Sequence, residues 1–165
     1  MVGRYTNPHF GQTCCTIHRA YVDRTIADDF VEAQWAFFDG LTIGHQADAG
    51  CNSGRSSTRR SAATSWRPNR TPWRGGKPVL AGGEAAVAGR TGVYPRPALY
   101  RTEPGIDCNP AEVFHTYATV CPVASPEEAL RLANSSPHGL GASVWTHDID
   151  AGWLSSSSSA TGPAR

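Results

Sequence analysis

Extended and helical patterns alternate along this chain, and that alternation restricts its fold more than any other feature. Residues 18–23, His18-Arg19-Ala20-Tyr21-Val22-Asp23, have the β-branched and aromatic content of a short strand. After them Ile26, Phe30 and Ala33 recur at helical spacing, with Asp28 and Asp29 near the front where a helix dipole favours acids. Residues 77–83 read as a strand closed by a Gly pair. Residues 93–100, interrupted by Pro95 and Pro97, suit an edge strand, and residues 113–123 a longer one. At Ser125-Pro126-Glu127-Glu128 a helix starts, with Ser at the N-cap, Pro at the first helical position and Glu three residues after the cap. Residues 142–145 then read as one more strand, with Trp145 packing within it. Strands alternating with helices predict an α/β fold with a parallel or mixed sheet.

One stretch breaks the pattern. From Gly50 to Gly76 the chain is Ser, Arg, Asn and Pro with no hydrophobic period, and Arg55 to Arg74 holds six Arg and no acid. On either side the balance is acidic, so the net charge of +1 over 165 residues sums unlike parts. Such a block could serve a single-stranded nucleic acid, with Trp66 and Trp73 as stacking platforms. Nothing else in the chain supports that use, and no nucleic-acid partner is expected. The length suits at most one domain. No window approaches 18 consecutive apolar residues, and MVGRYTNPHF lacks the basic-then-apolar order of a secretory signal. The expectation is a cytoplasmic protein without a membrane partner.

The five cysteines, Cys14, Cys15, Cys51, Cys108 and Cys121, include no C-x-x-C, and the six His include no H-x-x-x-H. No metal is expected, and the His read as structural or solvent-facing. What remains is a cysteine with chemistry of its own, or none.

In several places and in collinear order the sequence resembles the aldehyde dehydrogenase superfamily. Gly11-Gln12-Thr13-Cys14, with Arg19 five residues on, looks like the segment carrying that family's catalytic thiol. Glu112-Val113-Phe114 looks like its Glu-x-Phe cofactor motif. Residues 123–134, and then 138–146, are similar to a stretch that members carry downstream. The resemblance implies a partial, incomplete aldehyde dehydrogenase-like catalytic domain with a Rossmann-like sheet. It implies NAD(P)-dependent oxidation of an aldehyde to a carboxylic acid through a cysteine thiohemiacetal and thioester. Cys14 would be the nucleophile and Cys15 an accompanying neighbour. Glu112 would hold the nicotinamide ribose and Phe114 would lie close to the nicotinamide of NAD or NADP. Family members are homo-oligomers.

The chain also departs from the family pattern. Pro8-His9-Phe10 fills the space where members have one residue between an Asn, here Asn7, and the Gly. His115-Thr116 follows Phe114 where the family has Gly-Pro. Read one frame over, the Trp-Arg pairs at 66–67 and 73–74 would give helix-spaced apolar residues. The expectation is therefore that residues 1–150 are a partial catalytic domain in which 53–75 are aberrant or disordered. Residues 151–165 would be an aberrant Ser-rich tail. A chain of this kind is expected to be a fragment inactive alone, the alternative being a nonenzymatic remnant.

Overall fold

A computed structural model describes residues 6–58, 76–104 and 113–152. A 3-10 turn at Pro8–Gly11 opens it. Then come β1 (Arg19–Asp23), α1 (Ala27–Asp39), β2 (Lys77–Ala81), β3 (Glu84–Ala85), β4 (Tyr94–Pro95), β5 (Ala98–Arg101), β6 (Tyr117–Val123) and α2 (Pro126–Asn134). Four strands form one sheet in the order β1-β6-β5-β2. β6 runs parallel to both β1 and β5, and β2 is antiparallel to β5. β3 and β4 form a separate antiparallel pair. The mixed sheet is the one the alternating pattern predicts.

Period-two alternation sorts the side chains onto two faces. From β1, β5 and β6 respectively, Val22, Leu99, and Ala118 with Val120 meet Ala27 and Phe38 of α1 in one buried cluster. Ala98, Tyr100 and Tyr117, the alternate residues, join Val113 in a second cluster. α2 lies on the face opposite α1: the Tyr21 hydroxyl donates to the Leu132 carbonyl at 3.2 Å, and Arg19 donates to Ser136 Oγ at 2.6 Å. β6 is apolar almost throughout because it has a strand on each side and a helix over both faces.

α2 begins as the sequence predicts. Ser125 Oγ accepts from the Glu128 amide at 3.3 Å, and Glu128 Oε2 accepts from the Ala124 amide at 2.7 Å. Ser125→Ala is expected to lower the stability of the chain by about 1 kcal/mol, read from thermal unfolding, because it orphans one donor of the first turn.

Four expectations need correction. Residues 93–100 are not one edge strand. Pro95 ends β4 and Pro97 lies in the link, so β5 starts after both with its donors intact and sits inside the sheet. The strand expected from 113 begins only at Tyr117; residues 113–116 form a buried bend, apart from Phe114. Residues 142–145 form no strand with any described neighbour, and Trp145 is 53% exposed, its indole N–H on Ser143 Oγ rather than in a core. An apolar alternation becomes a strand only where a second strand accepts its hydrogen bonds. Finally, the described start of the aperiodic stretch, residues 50–58, is partly packed: Ser53 is 2% and Ser56 5% exposed. Residues 59–75, including Trp66 and Trp73, lie outside the described residues, as does the tail from 153.

Candidate functional site

The segment 6–16 has little regular structure, and side chains with a few main-chain contacts hold it in place. Gln34 of α1 donates to Thr6 Oγ1 at 3.3 Å. The Asn7 amide spans two remote segments, donating to the Asn52 carbonyl at 2.7 Å and accepting from the Thr116 hydroxyl at 2.6 Å. His9 and Phe10 are both left-handed, with φ of 44° and 63°. That conformation turns the chain so that the Phe10 ring lies against Gly54, where a Cβ would stand 2.5 Å from the ring. Gln12 closes the frame: its amide nitrogen donates to the Arg55 carbonyl at 3.1 Å and its oxygen accepts from the Ser57 amide at 2.8 Å.

Gly11 is the closest approach. With φ +73° it presses its Cα face onto the main chain of His115 and Thr116, leaving a Cβ only 2.2 Å from the His115 carbonyl carbon. The thiol segment and the residues just after Phe114 are thereby brought together. Thr13-Cys14-Cys15-Thr16 then forms a tight turn, in which the Thr16 amide donates to the Thr13 carbonyl at 3.2 Å. The Thr13 and Thr16 hydroxyls meet 2.9 Å apart beneath it. Both cysteines occupy the exposed corner. Among the described residues the Cys15 thiol reaches only Thr13 Oγ1, at 3.7 Å.

Of the residues predicted to carry chemistry, Cys14 is thus an exposed thiol on a braced turn. Phe114 is 36% exposed between Val113 and His115, which are buried. Glu112 and Cys108 lie outside the described residues. Among the described residues no group of three or more His, Cys, Asp or Glu could hold a metal ion. No described helix is long and apolar enough to cross a membrane.

Two imidazoles lie beneath the site, His115 buried and His18 half-buried. His18, just before β1, stacks on Tyr117 with ring centroids 4.5 Å apart. His115 sits under Gly11. The Nε2 atoms of both are buried without a hydrogen-bond partner. Burial pushes His18 down to about 4, with the Arg19 charge acting the same way and a hydrogen bond to the main chain at His115 opposing. Burial likewise pushes His115 down to about 3, opposed by a hydrogen bond to the main chain at Arg96 and assisted by the charge of His18. Sequence reading sees neither pairing, because a lone His carries no periodic signature of what it will pack against.

Comparison with known proteins gives the family and the fold. Residues 5–162 match the family described as the aldehyde dehydrogenase family. The 2-hydroxymuconic semialdehyde dehydrogenase of Pseudomonas putida is 32% identical over 146 residues, 84% of this chain and 29% of that protein. An aldehyde dehydrogenase of Deinococcus radiodurans is 27% identical over 141 residues, 84% of this chain and 27% of its own length. The chain therefore spans under a third of the length of these relatives. In fold it is similar to an aldehyde dehydrogenase of Mycobacterium tuberculosis solved with NAD+, with a TM-score of 0.85 at 23% identity over 98% of this chain and 34% of that one. It is also similar to an NADP-dependent glyceraldehyde-3-phosphate dehydrogenase of Bacillus halodurans solved with NADP, with a TM-score of 0.77 at 22% identity over 98% of this chain and 33% of that one.

Proposed function

Since the chain belongs to the aldehyde dehydrogenase family, we propose that it carries the thiol of an enzyme that oxidises an aldehyde to a carboxylic acid with NAD or NADP. The observation that supports this reading is the exposed Cys14 on a turn braced at Gln12, Thr13 and Thr16. That bracing gives a nucleophile the fixed aim that attack on a carbonyl requires.

In this reading the Cys14 thiolate forms a bond to the aldehyde carbon, and the carbonyl oxygen takes up negative charge. The main-chain N–H of Cys14 stabilises that charge, a role in which one donor is typically worth a factor of about 10² to 10³ in rate. A nicotinamide cofactor, when bound, supplies the two-electron oxidant that converts the thiohemiacetal to a thioester. Water then releases the acid and restores the thiol. Phe114, held outward by its buried neighbours, is the described residue suited to line the nicotinamide, and Glu112 is proposed for its ribose. Cys15 takes no part in these steps.

The test is aldehyde-dependent reduction of NAD or NADP by the 165-residue chain, alone and together with a polypeptide carrying a nucleotide-binding half from a family member. Turnover that falls to background with Cys14→Ala is the expected result for the combination. No turnover in either setting, across a broad panel of aldehydes, would favour the nonenzymatic remnant.

A further inference from the structure

We propose that His18 and His115 form an acid-opened latch on the thiol segment. Neutral, they keep residues 6–16 seated on the bend at 113–116; protonated, they release that segment while the sheet stays paired. The latch is independent of the oxidation proposed above.

The segment is strained as well as seated. His9 and Phe10, neither of them glycine, hold left-handed φ values of 44° and 63°, a conformation that contacts elsewhere must offset. Those contacts converge on the bend. Gly11 lies on the His115 main chain, where a Cβ would stand 2.2 Å from the carbonyl carbon, and the Thr116 hydroxyl donates to Asn7 Oδ1 at 2.6 Å. Beneath that seat the imidazoles tie together three remote parts of the chain. His18 hydrogen-bonds to the main chain at His115, and His115 to the main chain at Arg96. The His18 ring also stacks on Tyr117, with centroids 4.5 Å apart.

Each ring has an enclosed Nε2 with no hydrogen-bond partner among the described residues. A proton placed there would create a charge with neither water nor an acceptor beside it, a costly state. The charged groups that act on the rings are themselves cationic: Arg19 on His18, and His18 on His115. Tyr117, Gly11 and the Arg96 main chain, which also meet them, offer no carboxylate. Protonation therefore favours release to water. Burial holds His18 at about 4 and His115 at about 3 while seated, against an ordinary 6.5. From pH 7 to pH 5 the ratio of released to seated chain should rise about 20-fold from each ring and about 500-fold from both. The rest of the fold is held separately. The cluster of Val22, Leu99, Ala118 and Val120 with Ala27 and Phe38 includes neither imidazole.

Amide hydrogen exchange of the full chain tests the latch, followed by NMR at pH 7 and pH 5 in low urea and corrected for the intrinsic rate at each pH. The Phe10, Gln12 and Ser57 amides report the segment, since they donate to the Asn7 carbonyl, the His9 carbonyl and Gln12 Oε1. The Thr102 amide, on the Val120 carbonyl at 2.9 Å, reports the sheet. The segment should open about 10² to 10³-fold more at pH 5 than at pH 7, with little dependence on urea. Thr102 should open less at pH 5, and with the full urea dependence of unfolding. His9→Gly removes one strained residue and the exposed imidazole of the segment. It should lower opening at both pH values by about three- to tenfold and leave their ratio unchanged. Equal opening of the segment at pH 7 and pH 5 would overturn the latch. So would one opening constant and one urea dependence shared by the segment and Thr102, or loss of the pH ratio in His9→Gly, which would move the titration to His9.

Discussion

Between pH 7 and pH 5 the folded chain is expected to lose about 4 kcal/mol of stability, about 2 each from buried His115 and half-buried His18, whose Nε2 atoms are both enclosed. An ordinary His titrates near 6.5, whereas burial holds His18 at about 4 and His115 at about 3 in the folded chain. Below 6.5 the unfolded chain therefore takes up two protons that the folded chain refuses. Stability is full above 6.5 and falls as the pH drops, levelling off only below the folded values. Urea unfolding at pH 7 and pH 5 measures the difference. Replacing both residues, His18→Asn with His115→Asn, should flatten the slope whatever it does to the absolute stability. An unsubstituted chain with equal midpoints at the two pH values would contradict the burial of these rings. Since His115 lies directly under Gly11, acid should loosen the thiol segment early.

Gly11→Ala is expected to cost about 3 to 5 kcal/mol, near the upper end for a single substitution. Two effects combine. A left-handed φ of +73° penalises any side chain by about 1 to 2 kcal/mol. The added Cβ would also stand 2.2 Å from the His115 carbonyl carbon and 2.3 Å from the Thr116 amide nitrogen. These are main-chain atoms next to β6 and cannot turn aside as a flexible side chain would. Gly50→Ala is the control, since Gly50 has a φ of +81° but nothing within 4 Å of a built Cβ. The difference between the two variants in urea isolates the clash. If Gly11→Ala proved no worse than Gly50→Ala, the close seat of the thiol segment on 115–116 would be wrong.

Much of the fold is legible in the sequence because its main signals are periodic. The Ile26, Phe30 and Ala33 spacing announces α1, and Ser125-Pro126 fixes the start of α2 to the residue. The family is legible from Gly11-Gln12-Thr13-Cys14 and the segments after it, and the match over residues 5–162 bears that out. What escapes is whatever depends on partners far along the chain. The Gln12 amide grips residues 55 and 57 through their main chain, so the side chains there leave no pattern and the segment reads as unstructured. Residues 142–145 err the other way: their alternation is local and present, but the neighbour that would make them a strand is not among the described residues. Pro97 hides the position of β5, since a proline beside a strand looks the same in sequence whether the strand lies at the edge or just beyond it.

The side-chain clamps on the thiol segment also order events in time. Thr116 and Asn7 are 109 residues apart, Asn7 and Asn52 45, and Gln12 and Arg55 43. Closing loops of this size costs chain entropy before any contact returns it. β1 and β6 are expected to pair, and the 52–57 segment to settle, before Asn7 and Gln12 find both of their partners. The turn bearing Cys14 and Cys15 is thus expected to be a late step of folding, its two thiols coming to rest on a sheet that has already formed.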